Sequence, residues 1–148
     1  MITTVIHEES KLREVLDLYR YLHPKDPALE VTMKIENFWK NILQNPYLFY
    51  IGTEIDGKLV ATCNIAIVPN LTRNARPYGV IENLVVHPDH RRKGIGTQLL
   101  KFAISIAWKR NCYKVMLLTS RKDDAILQFY EKAGFERGVK TGFVKYNL

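Results

Sequence analysis

Two groups of residues in this chain have types and spacing that could do chemistry. The first is Arg91-Arg92-Lys93-Gly94-Ile95-Gly96. It follows a strand-like apolar run, Gly79 to Val86, and precedes a helix-like pattern, Thr97 to Ala103. A strand, a basic glycine-containing turn and a helix together make an anion site. Glycine lets the backbone turn and approach a ligand without a Cβ clash. The first N–H groups of a helix have no intrahelical partner, and the helix dipole places partial positive charge beside them. Three cationic side chains reinforce this, and the natural ligand is a pyrophosphate. The second group is a single residue, Glu82, inside the apolar strand. A carboxylate there costs free energy unless it is paired or solvated. It is either a base for a proton in transit or a structural carboxylate bound to an Arg or a backbone N–H.

Known pyrophosphate motifs narrow the choice. A P-loop needs a longer loop ending in Gly-Lys-Ser/Thr, which Gly96-Thr97-Gln98 does not supply. A dinucleotide fingerprint needs a third glycine where Leu99 stands, and it lies in the first βα unit rather than past mid-chain. With Arg91 ahead of Gly94, the pattern is Arg-x-x-Gly-x-Gly. At this point the chain resembles the GNAT superfamily of acetyl-CoA-dependent N-acetyltransferases, whose signature for the coenzyme A pyrophosphate has this form. Phe129-Tyr130-Glu131-Lys132-Ala133-Gly134-Phe135 resembles the family's downstream motif, an aromatic-Tyr pair ending a helix and followed by Gly-Phe. The order of elements matches from about residue 3 to residue 147. Two positions depart from the pattern: Asp123 stands where members commonly carry Asn, and Ala125 comes one place early.

The resemblance implies acetyl-CoA as cosubstrate. It implies that the pyrophosphate lies on Arg91, Arg92, Lys93, Gly94, Ile95, Gly96 and Thr97, with Asp123 at the second turn. It implies that backbone groups of Leu84, Val85 and Val86 hold the thioester carbonyl and the pantetheine amides, and that Tyr130 protonates the departing sulfur. Acetyl transfer to an amine needs a neutral amine, a stabilised carbonyl oxygen and a protonated or stabilised thiolate. Glu82 is the base candidate, directly or through water. No acyl-enzyme is needed if the two substrates sit side by side. Two-residue alternation puts Glu82 on the face of Leu84 and Val86, opposite Asn83 and Val85; a bulge, frequent in the family at this strand, would shift that phase.

Bulk properties set the frame. A chain of 148 residues suits one domain with a sizeable core. Cys63 and Cys112 lack metal-ligand spacing and read as buried small side chains in a reducing cytoplasm; no metal site is expected. No signal peptide or spanning segment is read. The net charge of +7 raises nucleic acid as a partner, but the cations are dispersed without aromatic interleaving. Neither nucleic acid nor membrane is expected. His87 and His90 read as turn residues, while His23, Arg73 and Arg76 lie in segments that flank the acceptor cleft in the family.

The elements must position these groups. The spacing predicts a strand over residues 2–7, a helix capped by Ser10, a helix capped by Thr32, and strands over 48–55 and 58–68 joined by an Asp56-Gly57 turn. Then come the Glu82 strand, a helix to about residue 110, a strand over 112–118, a short helix capped by Asp123, and a last strand over 143–146. The fold class expected is α/β, with a GNAT-like mixed, mostly antiparallel sheet splayed between strands 4 and 5 and helices on both faces. The leading function is acetyl transfer to a primary amine of a small molecule. A protein amine and a non-catalytic acyl-CoA sensor are the alternatives. Many family members form dimers, so a homodimer is open.

Overall fold

The computed structural model describes residues 1–147. Two compact units divide the chain, Met1–Leu117 and Leu118–Leu148. In the first unit a five-stranded sheet holds β1 (Ile2–Val5), β2 (Leu48–Ile55), β3 (Lys58–Val68), β4 (Tyr78–Val86) and β5 (Val115–Leu117), side by side in chain order. The first four pair antiparallel, and β4 pairs parallel with β5. The β2–β3 hairpin turns at Asp56-Gly57 with positive φ at both residues, as a two-residue turn matched to strand twist requires.

Helix α1 (Leu12–Leu22) and helix α2 (Met33–Leu43) lie on one face of this sheet, and α4 (Ile95–Lys109) lies on the other. The β3–β4 connection holds α3 (Thr72–Ala75), a single distorted turn with positive φ at Arg73, Asn74 and Ala75. Leu12, Val15 and Leu18 of α1 and Trp39 of α2 bury against Ile6, Leu59 and Val85. A carboxylate oxygen of Glu14 accepts the Leu59 N–H at 2.7 Å, and Lys11 Nζ binds Glu14, Glu54 and the Gly57 carbonyl. These bonds fix α1 to the β2–β3 hairpin. On the opposite face Leu99, Leu100, Ala103 and Ala107 of α4 are wholly buried. Gly79 admits this helix: a Cβ there would meet Ile65, Val115 and Ala107 at 3.1, 3.4 and 3.5 Å.

Several expectations need correction. Ser10 does not cap α1, because Glu9–Lys11 form a 3-10 turn that feeds directly into the helix. Thr32 does cap α2, its Oγ1 accepting the Ile35 N–H at 3.4 Å. Strand β5 is shorter than residues 112–118; Arg76 binds the Asn111 and Cys112 carbonyls, holding this segment as a turn. No strand forms at 143–146. Phe143 and Tyr146 are 91% and 77% exposed, so a strand there has no buried face to serve. The second unit holds α5 (Asp124–Lys132), preceded by Asp123 in extended conformation.

Candidate active site

The site in the first unit is organised by two features of β4. The first is its short partner. Pairing with β5 covers only Gly79–Ile81, whereas β4 continues to Val86. Glu82, Asn83, Leu84, Val85 and Val86 therefore have β3 on one side and no strand among the described residues on the other. This is the splay expected between strands 4 and 5, and it leaves one backbone edge of Leu84, Val85 and Val86 without a strand partner.

The second feature is a bulge. Thr62 stands opposite Val85 and Asn64 opposite Glu82, so Asn83 and Leu84 together face Cys63. Asn83 has φ of +56°, a left-handed conformation that Asn tolerates better than most residues. The extra residue shifts the side-chain phase. Glu82 shares its face with Val85, Asn64 and Tyr50, not with Leu84 and Val86 as unbroken alternation predicted. This is the α1 face. Glu82 is exposed, and no hydrogen bond or ion pair ties its carboxylate among the described residues. The structural alternative, a carboxylate bound to an Arg or a backbone N–H, is not what the fold builds.

The same face carries polar groups that sequence reasoning passed over. Asn64 is 7% exposed in the middle of β3, between the Tyr50 and Glu82 positions of the neighbouring strands. Tyr19 of α1 brings its hydroxyl into this region, buried and without a hydrogen bond of acceptable geometry. Burial pushes the Tyr19 phenol far up, with Tyr50 adding to the shift and Asn64 opposing it. The signal for Asn64 was present: one amide inside Val60-Ala61-Thr62-Cys63-Asn64-Ile65 has the same anomaly that drew attention to Glu82.

The anion turn follows β4. Pro88–His90 form a 3-10 turn, and the His87 Nδ1 accepts the Asp89 N–H at 3.3 Å. The His87 ring meets Tyr21 edge-on at 4.9 Å. Both histidines thus serve the turn, and no cluster able to hold a metal exists among the described residues. Arg91 Nε donates to the Val86 carbonyl at 3.0 Å, and Lys93 Nζ to the Asp89 carbonyl at 2.9 Å. Arg92 has φ of +58° and Gly94 of +78°. Gly94 is the residue before α4, and a Cβ on it would meet nothing within 4 Å, leaving open space beside the backbone. The Gln98 N–H bonds to the Gly94 carbonyl, so the N–H groups of Ile95, Gly96 and Thr97 lie ahead of the helical ladder. No acidic residue lies in the first turn to compete for them. The donors, cations and open approach suit a pyrophosphate.

In the second unit, Arg121 binds both carboxylate oxygens of Asp123 at 2.9 Å and holds its carboxyl below the ordinary carboxylate range. The Asp123 carbonyl accepts the N–H groups of Ile126 and Leu127. Tyr130 is half-buried, with ring contacts to Phe129 at 5.1 Å and Phe135 at 6.3 Å. Arg73 lies over the Tyr113 ring at 5.8 Å and Arg76 is bound to main-chain carbonyls. His23 is exposed after α1. Cys63 and Cys112 are buried free thiols, and burial pushes both up.

The family model of the acetyltransferase (GNAT) family matches residues 12–135. A Trypanosoma brucei brucei protein named glucosamine 6-phosphate N-acetyltransferase is 40% identical over 133 residues, covering 86% of this chain and 84% of that one. A solved structure from Agrobacterium tumefaciens str. C58, assigned as an acetyltransferase, is 41% identical with a TM-score of 0.92, covering 99% of this chain and 100% of that one. The structure of glucosamine-6-phosphate N-acetyltransferase from Arabidopsis thaliana shares the fold, with a TM-score of 0.82 at 24% identity, over 99% of each chain. The chain belongs to the acetyltransferase (GNAT) family.

Proposed function

We propose that this acetyltransferase acts on a primary amine of a small molecule, with Glu82 as the base and Tyr130 as the acid. The observation that carries the reading is the Glu82 carboxylate: exposed, without a hydrogen bond or ion pair, and set by the Asn83 bulge beside the splayed edge of β4. Acetyl-CoA supplies an activated acetyl thioester. Arg91, Arg92, Lys93 and the N–H groups of Ile95, Gly96 and Thr97 would hold its pyrophosphate. The main chain of Leu84, Val85 and Val86 would face its amide-bearing arm. An attacking amine forms the N–C bond, the C–S bond breaks, Glu82 takes the amine proton and Tyr130 gives one to the sulfur. The trypanosomal relative's name makes glucosamine 6-phosphate the first acceptor to try.

The test is a panel of acceptors mixed with acetyl-CoA and followed by thiol release. It contains glucosamine 6-phosphate, unphosphorylated glucosamine, simple alkylamines, and peptides with free N-termini or lysines. Turnover of one of the first three supports the small-molecule reading, and turnover of peptides alone overturns it.

A further inference from the structure

Two polar groups near Asn64 have no hydrogen-bond partner, and Asn64 stands between them. On one side is the Tyr19 hydroxyl, buried with no hydrogen bond of acceptable geometry but close enough to Tyr50 and Asn64 for both to act on it. A buried hydroxyl left this way costs about 1–3 kcal/mol, so a native structure holds one only for a reason. On the other side is Glu82, the cross-strand partner of Asn64 on β4. Directly opposite residues on one face have Cβ atoms about 5 Å apart, within reach of an amide and a carboxylate. Asn64 itself is a poor strand former in the centre of β3, buried where its neighbours are apolar or, like Thr62, bonded to a carbonyl.

We infer that Asn64 is a positioning residue for Glu82 and that Tyr19 orients Asn64. The chemistry fixes which way the amide points. One amide N–H donates to the Tyr19 oxygen, the direction in which Asn64 opposes the rise of the phenol pKa. The other N–H is left for the Glu82 carboxylate, which can only accept. Glu82 is the longer and exposed side chain, and rotation about its side-chain bonds brings the carboxylate onto this donor. The bond to an ionised acceptor is the stronger kind. Three elements thus cooperate on one side chain: α1 supplies Tyr19, β3 supplies Asn64 and β4 supplies Glu82.

This rests on Glu82 as the base, and the test separates the two ideas. A double-mutant cycle on the full chain uses Asn64→Val, Glu82→Ala and the pair, with stability read by urea unfolding at pH 7. Coupled residues give non-additive effects, and residues that merely fill space near each other do not. The result expected is that Asn64→Val destabilises less in the Glu82→Ala background than in the natural chain. Additive effects overturn the inference. A parallel cycle with Tyr19→Phe, which keeps the ring, serves if Asn64→Val does not fold. There Tyr19→Phe must also be non-additive with Glu82→Ala, and additivity again overturns the inference. In the rate assay, with the amine found by the acceptor panel, Asn64→Val lowers kcat about tenfold and leaves KM for acetyl-CoA unchanged, as loss of a hydrogen bond to a charged group predicts. An unaltered kcat overturns the positioning role. Full activity in Glu82→Gln with coupling intact refutes the base assignment and leaves the Asn64–Glu82 contact standing.

Discussion

The two faces of the β3–β4 pair are built for different purposes. On the α4 face lie Ala61, Cys63, Ile65 and Ile81, and they are buried together with Leu99, Leu100, Ala103 and Ala107 of the helix. On the α1 face the same strands carry Thr62, Asn64 and Glu82, with Tyr50 alongside and Tyr19 above. One face gains stability from apolar area, and the other carries the polar groups to which the proposal assigns the chemistry. The bulge at Asn83 separates the two, because without it Glu82 and Val85 would lie on opposite faces. A change on the first face is expected to cost stability and spare the rate. A change at the exposed Glu82 on the second is expected to do the reverse.

The largest expected effect is on the dry face. Leu99→Ala removes a wholly buried side chain from α4. It should lower the unfolding free energy by about 3–5 kcal/mol and leave kcat per folded molecule unchanged. Urea unfolding and an active-site-normalised rate check both halves. A comparable loss of kcat would break the comparison.

Next is Glu82→Gln. General base catalysis is typically worth about a hundredfold or more, equal to about 2.7 kcal/mol. The rate should fall by that amount near neutrality, and the deficit should shrink at high pH. An amine with a pKa near ~10 is almost wholly protonated at pH 7 and needs no base once free. The melting temperature should hold within error, because the side chain is exposed and glutamine keeps an oxygen that can accept from Asn64. A pH–rate profile parallel to the natural one at full rate would make Glu82 a bystander.

A smaller effect is expected at the anion turn, where the backbone rather than a side chain does the work. Gly94→Val forces a β-branched residue to φ of +78° and places its side chain in space open to the ligand. Coenzyme A affinity should drop about tenfold or more by calorimetric titration, at a cost of about 1–2 kcal/mol in stability. Unchanged affinity in a folded variant removes the pyrophosphate assignment.

The smallest is Gly79→Ala, on the same strand as Glu82 but facing α4. The added Cβ must displace Ile65 by a few tenths of an ångström. A loss of about 1 kcal/mol in stability, with kcat unaltered, would show that the Glu82 side of β4 is insulated from its packed side.

These positions also show what the sequence could tell. The β2 and β3 limits were readable because Asp56-Gly57 marks the turn between two long β-rich runs. The anion turn was readable because cations and glycines sit between a strand pattern and a helix pattern. Side-chain phase along β4 was not, since a bulge is one left-handed residue and Asn83 announces it only faintly. Asn64 and Tyr19 were missed because their meaning comes from lying opposite Glu82 and over β3, a relation set by register and by the α1 packing angle. The strand expected at 143–146 came from local composition alone; such a run forms a strand only where a neighbouring strand and a core give one face something to cover.

The short β5 has a further consequence. A strand edge with unpaired N–H and C=O groups is a template for any other extended chain, and proteins guard against such edges. Among the described residues no strand covers one edge of β4 from Glu82 to Val86. The resemblance to the family places the amide-bearing pantetheine arm along that line, so acetyl-CoA would act as a guard against strand addition as well as an acetyl donor. By mass action, a cosubstrate that binds only the folded chain also stabilises it, by about 2.7 kcal/mol at a hundredfold excess over its Kd. Starved of acetyl-CoA, the protein is expected to aggregate sooner on warming. The acetyl-CoA supply would then set the lifetime of the enzyme as well as its rate.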